Sequence, residues 1–352
     1  MIYVNARFLT QPITGVQRYS IEISKALNKL VPNVVFLAPN NIIHPELAKE
    51  LNVKVIGKRS GHLWEQLDLP RYLKSVNSPL LVNLANTAPL FYKNKVSTLH
   101  DIAFVRYPES FSRSFRYSYQ LAIPFILRSS KKVITVSEFS KQEICDVYQV
   151  AKDKVSVIYN AVSDVFNENT LSPVSSDTEE KYIMAVSSIN KQKNFHGLIE
   201  AFNLLNQTSH QLYIIGSINK NFADPELINA IDKDPRIKLL GRVSDEELTN
   251  LYAGASAFVY PSFYEGFGIP PLEAQACGCP VVVSNVASLP EVCGDSALYC
   301  APDNIEDIAN KIQMMISDKD LRSDFIEKGY QNINKYSWEA SAAKLNALIQ
   351  EI

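Results

Sequence analysis

Residues 260–280 read YPSFYEGFGIPPLEAQACGCP, and the order of residue types in this stretch decides how the chain folds around it. An apolar run ending at Tyr260 is followed by a Pro-Ser turn, the glycine turn Glu265-Gly-Phe-Gly, two prolines and a run of small residues. A second β-rich run begins at Val281. Strand, glycine turn, helix and strand in succession form the repeating unit of a parallel sheet. Two acids, Glu265 and Glu273, stand with seven residues between them. Glu265 falls in the glycine turn, and Glu273 is expected in the opening turn of the helix. The bare amides of Gly266, Phe267 and Gly268, continued by Ile269, allow close approach of a phosphate, and a helix N-terminus favours an anion. A first-turn carboxylate can accept hydrogen bonds from sugar hydroxyls. Two solvated acids on an ordinary capped helix would share the Glu-x7-Glu spacing, but the whole string is far more restrictive.

The same alternation runs outward in both directions. Strands are predicted at Ile2–Val4, Val34–Ala38, Val53–Ile56, Leu80–Leu84, Val96–Leu99, Val133–Val136 and Val155–Ile158. A second series is predicted at Tyr182–Val186, Leu212–Ile215, Ile237–Leu239, Ala257–Tyr260 and Val281–Ser284. Amphipathic helical stretches separate many of them. The polar segment 167–180 has linker composition. It divides the chain into an N-terminal domain, 1–166, and a C-terminal domain, 167–336. The fold class is α/β, with two doubly wound, Rossmann-like parallel sheets whose strand-end loops face a cleft. Residues 337–352 form a candidate helix that returns to the N-terminal domain.

Bulk properties exclude several classes. A chain of 352 residues holds two cores large enough to fold without disulfides. The net charge of −2 makes nucleic acid an unnatural partner. The five cysteines are odd in number and fit no zinc spacing, so buried thiols in a reducing compartment are expected. No secretory leader pattern and no long apolar window is evident, so a cytoplasmic location is expected.

The quoted stretch resembles the E-x7-E motif of retaining GT-B glycosyltransferases, family 4. The resemblance implies that Glu265 lies against a donor sugar, that Glu273 binds the ribose, and that the co-substrate is a nucleotide-diphosphate sugar with no other cofactor and no metal. Lys193-Asn194 matches the family's Lys-Asn pair beside the donor diphosphate. The Arg usual in that segment is missing, with Lys191 as its candidate substitute. Gly241–Val243, with Arg242, resembles the segment that holds the nucleobase. Gly15 and Val16 open a helix and resemble the glycine loop over the diphosphate, although many relatives carry two glycines there. His100 and Asp101 follow a strand and are similar to residues at the acceptor side, to which Arg106 is also assigned. Glu265, His100 and Lys193 are the candidate catalytic residues.

The string from Asn5 to Tyr19 looks like that of O-antigen and capsule mannosyl- or rhamnosyltransferases. The resemblance therefore implies a GDP- or dTDP-sugar donor and a glycan or polyprenyl-diphosphate-linked acceptor. Residues 104–132 interleave aromatic and basic side chains. That composition suits peripheral contact with an anionic inner membrane, and equally a core-facing helix with solvated arginines. A sugar-nucleotide 2-epimerase of the same architecture and a non-catalytic glycan-binding homologue are the alternative functions.

Overall fold

The computed structural model describes residues 2–167, 181–205, 208–216 and 225–352, without the side chains of 225 and 226. The expected linker therefore lies outside the described residues except for Asn167. Among the described residues there are two parallel sheets. The first comprises β1 (Ile2–Asn5), β2 (Val34–Ala38), β3 (Lys54–Val55), β4 (Leu81–Asn83), β5 (Lys95–Thr98), β6 (Lys132–Thr135) and β7 (Val155–Val157). Its order is β3-β2-β1-β4-β5-β6-β7. The second comprises β8 (Tyr182–Val186), β9 (Gln211–Ile215), β10 (Ile237–Gly241), β11 (Ala257–Tyr260), β12 (Val281–Ser284) and β13 (Ala297–Cys300), in the order β10-β9-β8-β11-β12-β13.

The central strands β1, β4, β11 and β12 are buried along their whole length, as strands covered on both faces must be. Strand order reverses beside β1 and β4 in the first sheet and beside β8 and β11 in the second. Each sheet therefore has a switch point, where ligands bind beyond the carboxyl ends of the strands.

Several strand ends differ from the sequence reading by one or two residues, and two departures have a physical reason. The strand predicted from Val96 begins one residue earlier, at Lys95, which is fully buried. Its ammonium group donates to the Tyr92 carbonyl and to Ser129 Oγ, both at 2.7 Å, so a charged residue sits inside the sheet layer. Burial pushes its pKa down to about 8, aided by the nearby Lys154. Strand β13, which the sequence reading lacks, is an edge strand with Leu298 and Tyr299 only half-buried, so its apolar signal is weak.

The chain forms two compact units, Met1–Arg106 with Ser112–Asn160 and Ser337–Ile352, and Tyr107–Phe111 with Ala161–Tyr336. Residues 161–166, placed before the boundary in the sequence reading, join the second unit, where Phe166 meets Tyr252 edge-on at 6.2 Å. Residues 107–111 do likewise, with Tyr107 against Tyr264 at 5.8 Å.

The C-terminal helix, Trp338–Gln350, belongs to the first unit. Ser337 caps it by accepting from the Ala340 amide. It buries Trp338, Ala342, Leu345 and Leu348. Trp338 meets Tyr19 of the helix Gly15–Leu30 with ring centroids 5.9 Å apart, and Ser341 Oγ donates to the Tyr159 carbonyl at 2.7 Å.

Candidate functional site

In the second unit, the loops after β8 and β11 bring Lys193 and Glu265 together. Lys193 Nζ lies 2.6 Å from Glu265 Oε1, with side-chain exposures of 12% and 10%. The same ammonium donates to the Tyr260 hydroxyl at 3.3 Å. Burial alone would push the lysine pKa down, but the Glu265 carboxylate and Tyr260 outweigh it and hold the pKa above its ordinary value. Burial and the same carboxylate push the Tyr260 phenol up. Lys193 is therefore a cation and Tyr260 a neutral hydroxyl at any working pH.

Asn194 explains why the pair forms. It sits in the left-handed region at φ 57°, a conformation that Asn tolerates better than most residues. Its side chain caps the helix Phe195–Leu204 by accepting from the Gly197 amide. It also donates to the carbonyls of Pro261, at 3.1 Å, and Pro302, at 2.6 Å. The Phe263 amide donates to the Gln192 carbonyl at 2.8 Å. Lys193 is thus pinned between two residues that are themselves tied to the β11 loop.

The glycine turn is held from behind. Ser288 Oγ lies 2.9 Å from the Glu265 carbonyl and 2.8 Å from the Phe267 carbonyl, which its hydroxyl can serve as donor. Gly268 has φ 101°, a conformation that L side chains rarely adopt, and a Cβ there would come within 2.6 Å of the end of the Leu289 side chain. The helix that follows is Ile269–Ala276, with Pro270 and Pro271 in its first turn. Those prolines remove two of the amide donors that a helix N-terminus ordinarily offers. The expected opening-turn position of Glu273 is also corrected: it is the fifth helical residue, with no acid in the first turn. It is buried, and the Tyr252 hydroxyl donates to its Oε2 at 3.4 Å.

The remaining expected residues divide by environment. Phe267 and Ile269 are buried, Phe267 edge-on to Tyr336 at 5.6 Å. Lys191 is exposed at the start of the turn Lys191–Lys193. Arg242 is exposed and Val243 half-buried just after β10, while Ser244 and Glu247 form a capping box on the next helix. Sequence reasoning missed Tyr260 and Ser288 as partners of the site. It read Lys193-Asn194 as a phosphate pair without seeing the clamp that Asn194 supplies.

In the first unit, Gly15 is the exposed first residue of its helix, Val16 is half-buried, and a Cβ at Gly15 would meet nothing within 4 Å. Its φ is not positive, so no turn there requires glycine; the missing side chain simply leaves the helix mouth open. His100 is buried, edge-on to Tyr19 at 4.8 Å, with Nε2 3.0 Å from the Leu84 carbonyl. A carbonyl can only accept, so Nε2 carries the proton. Burial pushes the ring down to about 4, against a small opposing effect of that hydrogen bond, which leaves Nδ1 as an acceptor at neutral pH. Asp101 Oδ1 accepts from the Ala103 amide at 2.9 Å, closing an Asx-type turn just ahead of the short helix Ala103–Arg106. Arg106 forks onto Glu143 with two bonds of 2.7 Å.

Contrary to the sequence expectation of bare amides, Gly266, Phe267 and Gly268 are all buried. A half-buried ammonium and a carboxylate at one set of strand ends can serve a phosphate and a sugar hydroxyl together. Comparison with known proteins identifies the family. The family model for glycosyl transferases group 1 matches residues 167–332, and that for Glycosyltransferase Family 4 matches residues 13–165. The O-antigen chain mannosyltransferase B of Escherichia coli is 30% identical over 358 residues, covering 93% of each chain. The O-antigen chain mannosyltransferase RfbU of Salmonella typhimurium is 29% identical over 317 residues, covering 86% of this chain and 87% of that one. The fold is shared with Anabaena HepE, solved with UDP and glucose, at a TM-score of 0.77 and 20% identity over 100% of this chain and 99% of that one. It is also shared with WaaG, a glycosyltransferase of lipopolysaccharide biosynthesis, at a TM-score of 0.72 and 14% identity over 99% of each chain. The chain belongs to the family 4 glycosyltransferases and has the GT-B fold.

Proposed function

We propose that the chain transfers a hexose, mannose from GDP-mannose in the first instance, to a glycan or polyprenyl-diphosphate-linked acceptor of a bacterial surface polysaccharide. The Lys193–Glu265 pair, 2.6 Å apart at the ends of β8 and β11, carries this reading. On donor binding, Lys193 takes the diphosphate charge with the help of Lys191; the assignment of Gly15 and Val16 to the same diphosphate rests on the family resemblance of their loop. Glu265 accepts from the sugar hydroxyls and Glu273 from the ribose. The Arg242–Val243 backbone meets the base. The Lys193 and Lys191 ammonium groups stabilise the leaving charge in this reading, which calls on no metal.

The transfer proceeds with retention. The anomeric C–O bond to phosphate breaks, its electron pair leaving on the diphosphate. An oxygen of that diphosphate takes the acceptor proton on the same face, and the acceptor oxygen forms the new glycosidic bond. Protein groups position the partners rather than attack. Nδ1 of His100 accepts from an acceptor hydroxyl, with Asp101 and Arg106 shaping the same side. The mannose assignment follows the O-antigen mannosyltransferases among the relatives. The test is turnover of GDP-mannose, dTDP-rhamnose and UDP-glucose, with the anomeric configuration of any product read by NMR. An inverted product would overturn the mechanism, and no turnover of any donor would overturn the function.

The acceptor's lipid gives the helix Arg113–Ser129 a role. It exposes Tyr117 by 57%, Leu121 by 70% and Phe125 by 61%, one row spaced four residues apart. Arg113 and Arg128 are exposed at its two ends, with Lys131 exposed just beyond. Apolar side chains with basic flanks match an anionic bilayer surface on its cytoplasmic face. No helix among the described residues is long and apolar enough to cross a membrane. Leu121→Glu should abolish co-sedimentation with phosphatidylglycerol vesicles, and undiminished co-sedimentation would refute the contact.

A further inference from the structure

Glu65 and Gln66 are consecutive, yet both grip the same loop, residues 84–90. They lie in a π-helical turn, Trp64–Asp68, a geometry that recurs at functional sites. Gln66 Nε2 donates to the Ala88 carbonyl at 3.0 Å, and its Oε1 accepts from the Leu90 amide at 2.8 Å. Glu65 Oε1 accepts from Asn5 Nδ2 at 2.8 Å, and from Arg7 Nε and Thr87 Oγ1 at 3.2 Å each. Arg7 Nη2 in turn donates to Thr87 Oγ1 at 2.8 Å. This polar cluster is buried beside the carboxyl ends of β1 and β4, where the strand order reverses.

The opposite end of the loop carries other cargo. The Leu84 carbonyl accepts from His100 Nε2 at 3.0 Å and from Ser20 Oγ at 3.1 Å. Asn86 Oδ1 accepts from the His100 amide at 2.9 Å. Ser20 stands on the helix that begins at Gly15. A single loop therefore holds the His100 ring, its main chain and the first helix, and is itself held by two adjacent side chains. Burial alone does not explain Gln66. It is only half-buried, yet both ends of its amide are spent on the loop backbone.

We infer that Glu65 and Gln66 are positioning residues: through loop 84–90 they fix the His100 ring with Nδ1 presented as an acceptor, and they seat the helix that opens at Gly15. The role in transfer rests on the acceptor-side reading of His100 above, whereas the geometric claim does not. Glu65→Gln leaves Arg7 without its carboxylate and risks misfolding, so the variants are Gln66→Ala and Thr87→Val, each checked for a native thermal melt.

The first measurement is 15N NMR of the full chain labelled at its five histidines. Wild type should show His100 with a protonated Nε2 and a bare Nδ1, and both variants should show mixed tautomers or exchange broadening. The second is transfer from GDP-mannose to octyl α-mannoside. The acceptor KM should rise at least fivefold in both variants while the donor KM stays within twofold. An unaltered His100 signature in both variants overturns the inference whatever the kinetics. Altered signatures with equal changes in both KM values overturn the acceptor-side role. A wild type that transfers nothing from any nucleotide sugar overturns the proposed function, and the NMR arm still decides the positioning.

Discussion

Glu265→Gln separates two tasks that the Lys193–Glu265 pair combines. In the structure the lysine is occupied by the carboxylate at 2.6 Å. A diphosphate that recruits Lys193 must compete with that carboxylate and then lie close to it. A phosphate oxygen about 3 Å beyond Nζ is roughly 5.5 Å from the carboxylate, and two unit charges at that distance repel by about 3 kcal/mol at an effective dielectric near 20. Glutamine keeps the shape and removes the charge. Partial exposure and solvent relaxation reduce the figure, so we expect binding of GDP or UDP to tighten by about tenfold, or ~1.4 kcal/mol.

Sugar transfer should move the other way. Glutamine is a weaker acceptor for sugar hydroxyls and no longer balances the lysine, so the turnover number should fall by about a hundredfold or more. The lysine left without its counter-charge should also lower stability, by up to about 3 kcal/mol. Calorimetric titration with GDP and UDP, paired with transfer rates, reads both effects. Weaker nucleotide binding, or full transfer with normal binding, would show that Glu265 neither restrains Lys193 nor holds the sugar.

Other perturbations follow from the same geometry. Lys193→Ala should weaken nucleoside diphosphate binding by about tenfold or more, measured by the same titration, because it removes the ammonium that Glu265 holds at the proposed site. Asn194→Ala loses three hydrogen bonds and puts alanine, which tolerates the left-handed region less well than asparagine, at φ 57°, so urea unfolding should show a loss of about 3 kcal/mol. His100 has a folded pKa of about 4 against 6.5 unfolded, so the unfolded chain binds more protons between those values. Its contribution is complete above about pH 6.5 and is lost as pH falls toward 4, amounting to ~3 kcal/mol, and His100→Gln should flatten that part of the urea-stability profile. Leu345→Ala, at a fully buried position of the C-terminal helix, should cost about 3 kcal/mol in the same assay.

The two sheets were legible in the sequence because central parallel strands must be apolar on both faces, and runs such as Ala257–Tyr260 and Val281–Ser284 announce that condition directly. Lys95 broke the pattern, because a lysine whose ammonium reaches a carbonyl and a serine can be buried without a carboxylate. The residue types of the candidate site were legible in the glycine turn and in Lys193-Asn194. Their pairing was not. Lys193 and Glu265 are 72 positions apart, and they meet through the bonds of Asn194 to Pro261 and Pro302, which no local pattern encodes. Glu65 and Gln66 were silent for a related reason, since two polar residues in a helical stretch look the same whether they face water or a loop.

Pro270 and Pro271 restrict more than hydrogen bonding. Each ring fixes one backbone torsion, so the segment behind Gly268 has little freedom to surrender when a ligand arrives. With Ser288 holding the two carbonyls ahead of it, the Gly266–Gly268 peptide planes stand ready-shaped before any substrate is present. In the proposed donor site, the backbone of this turn is therefore ordered by folding and not by the ligand.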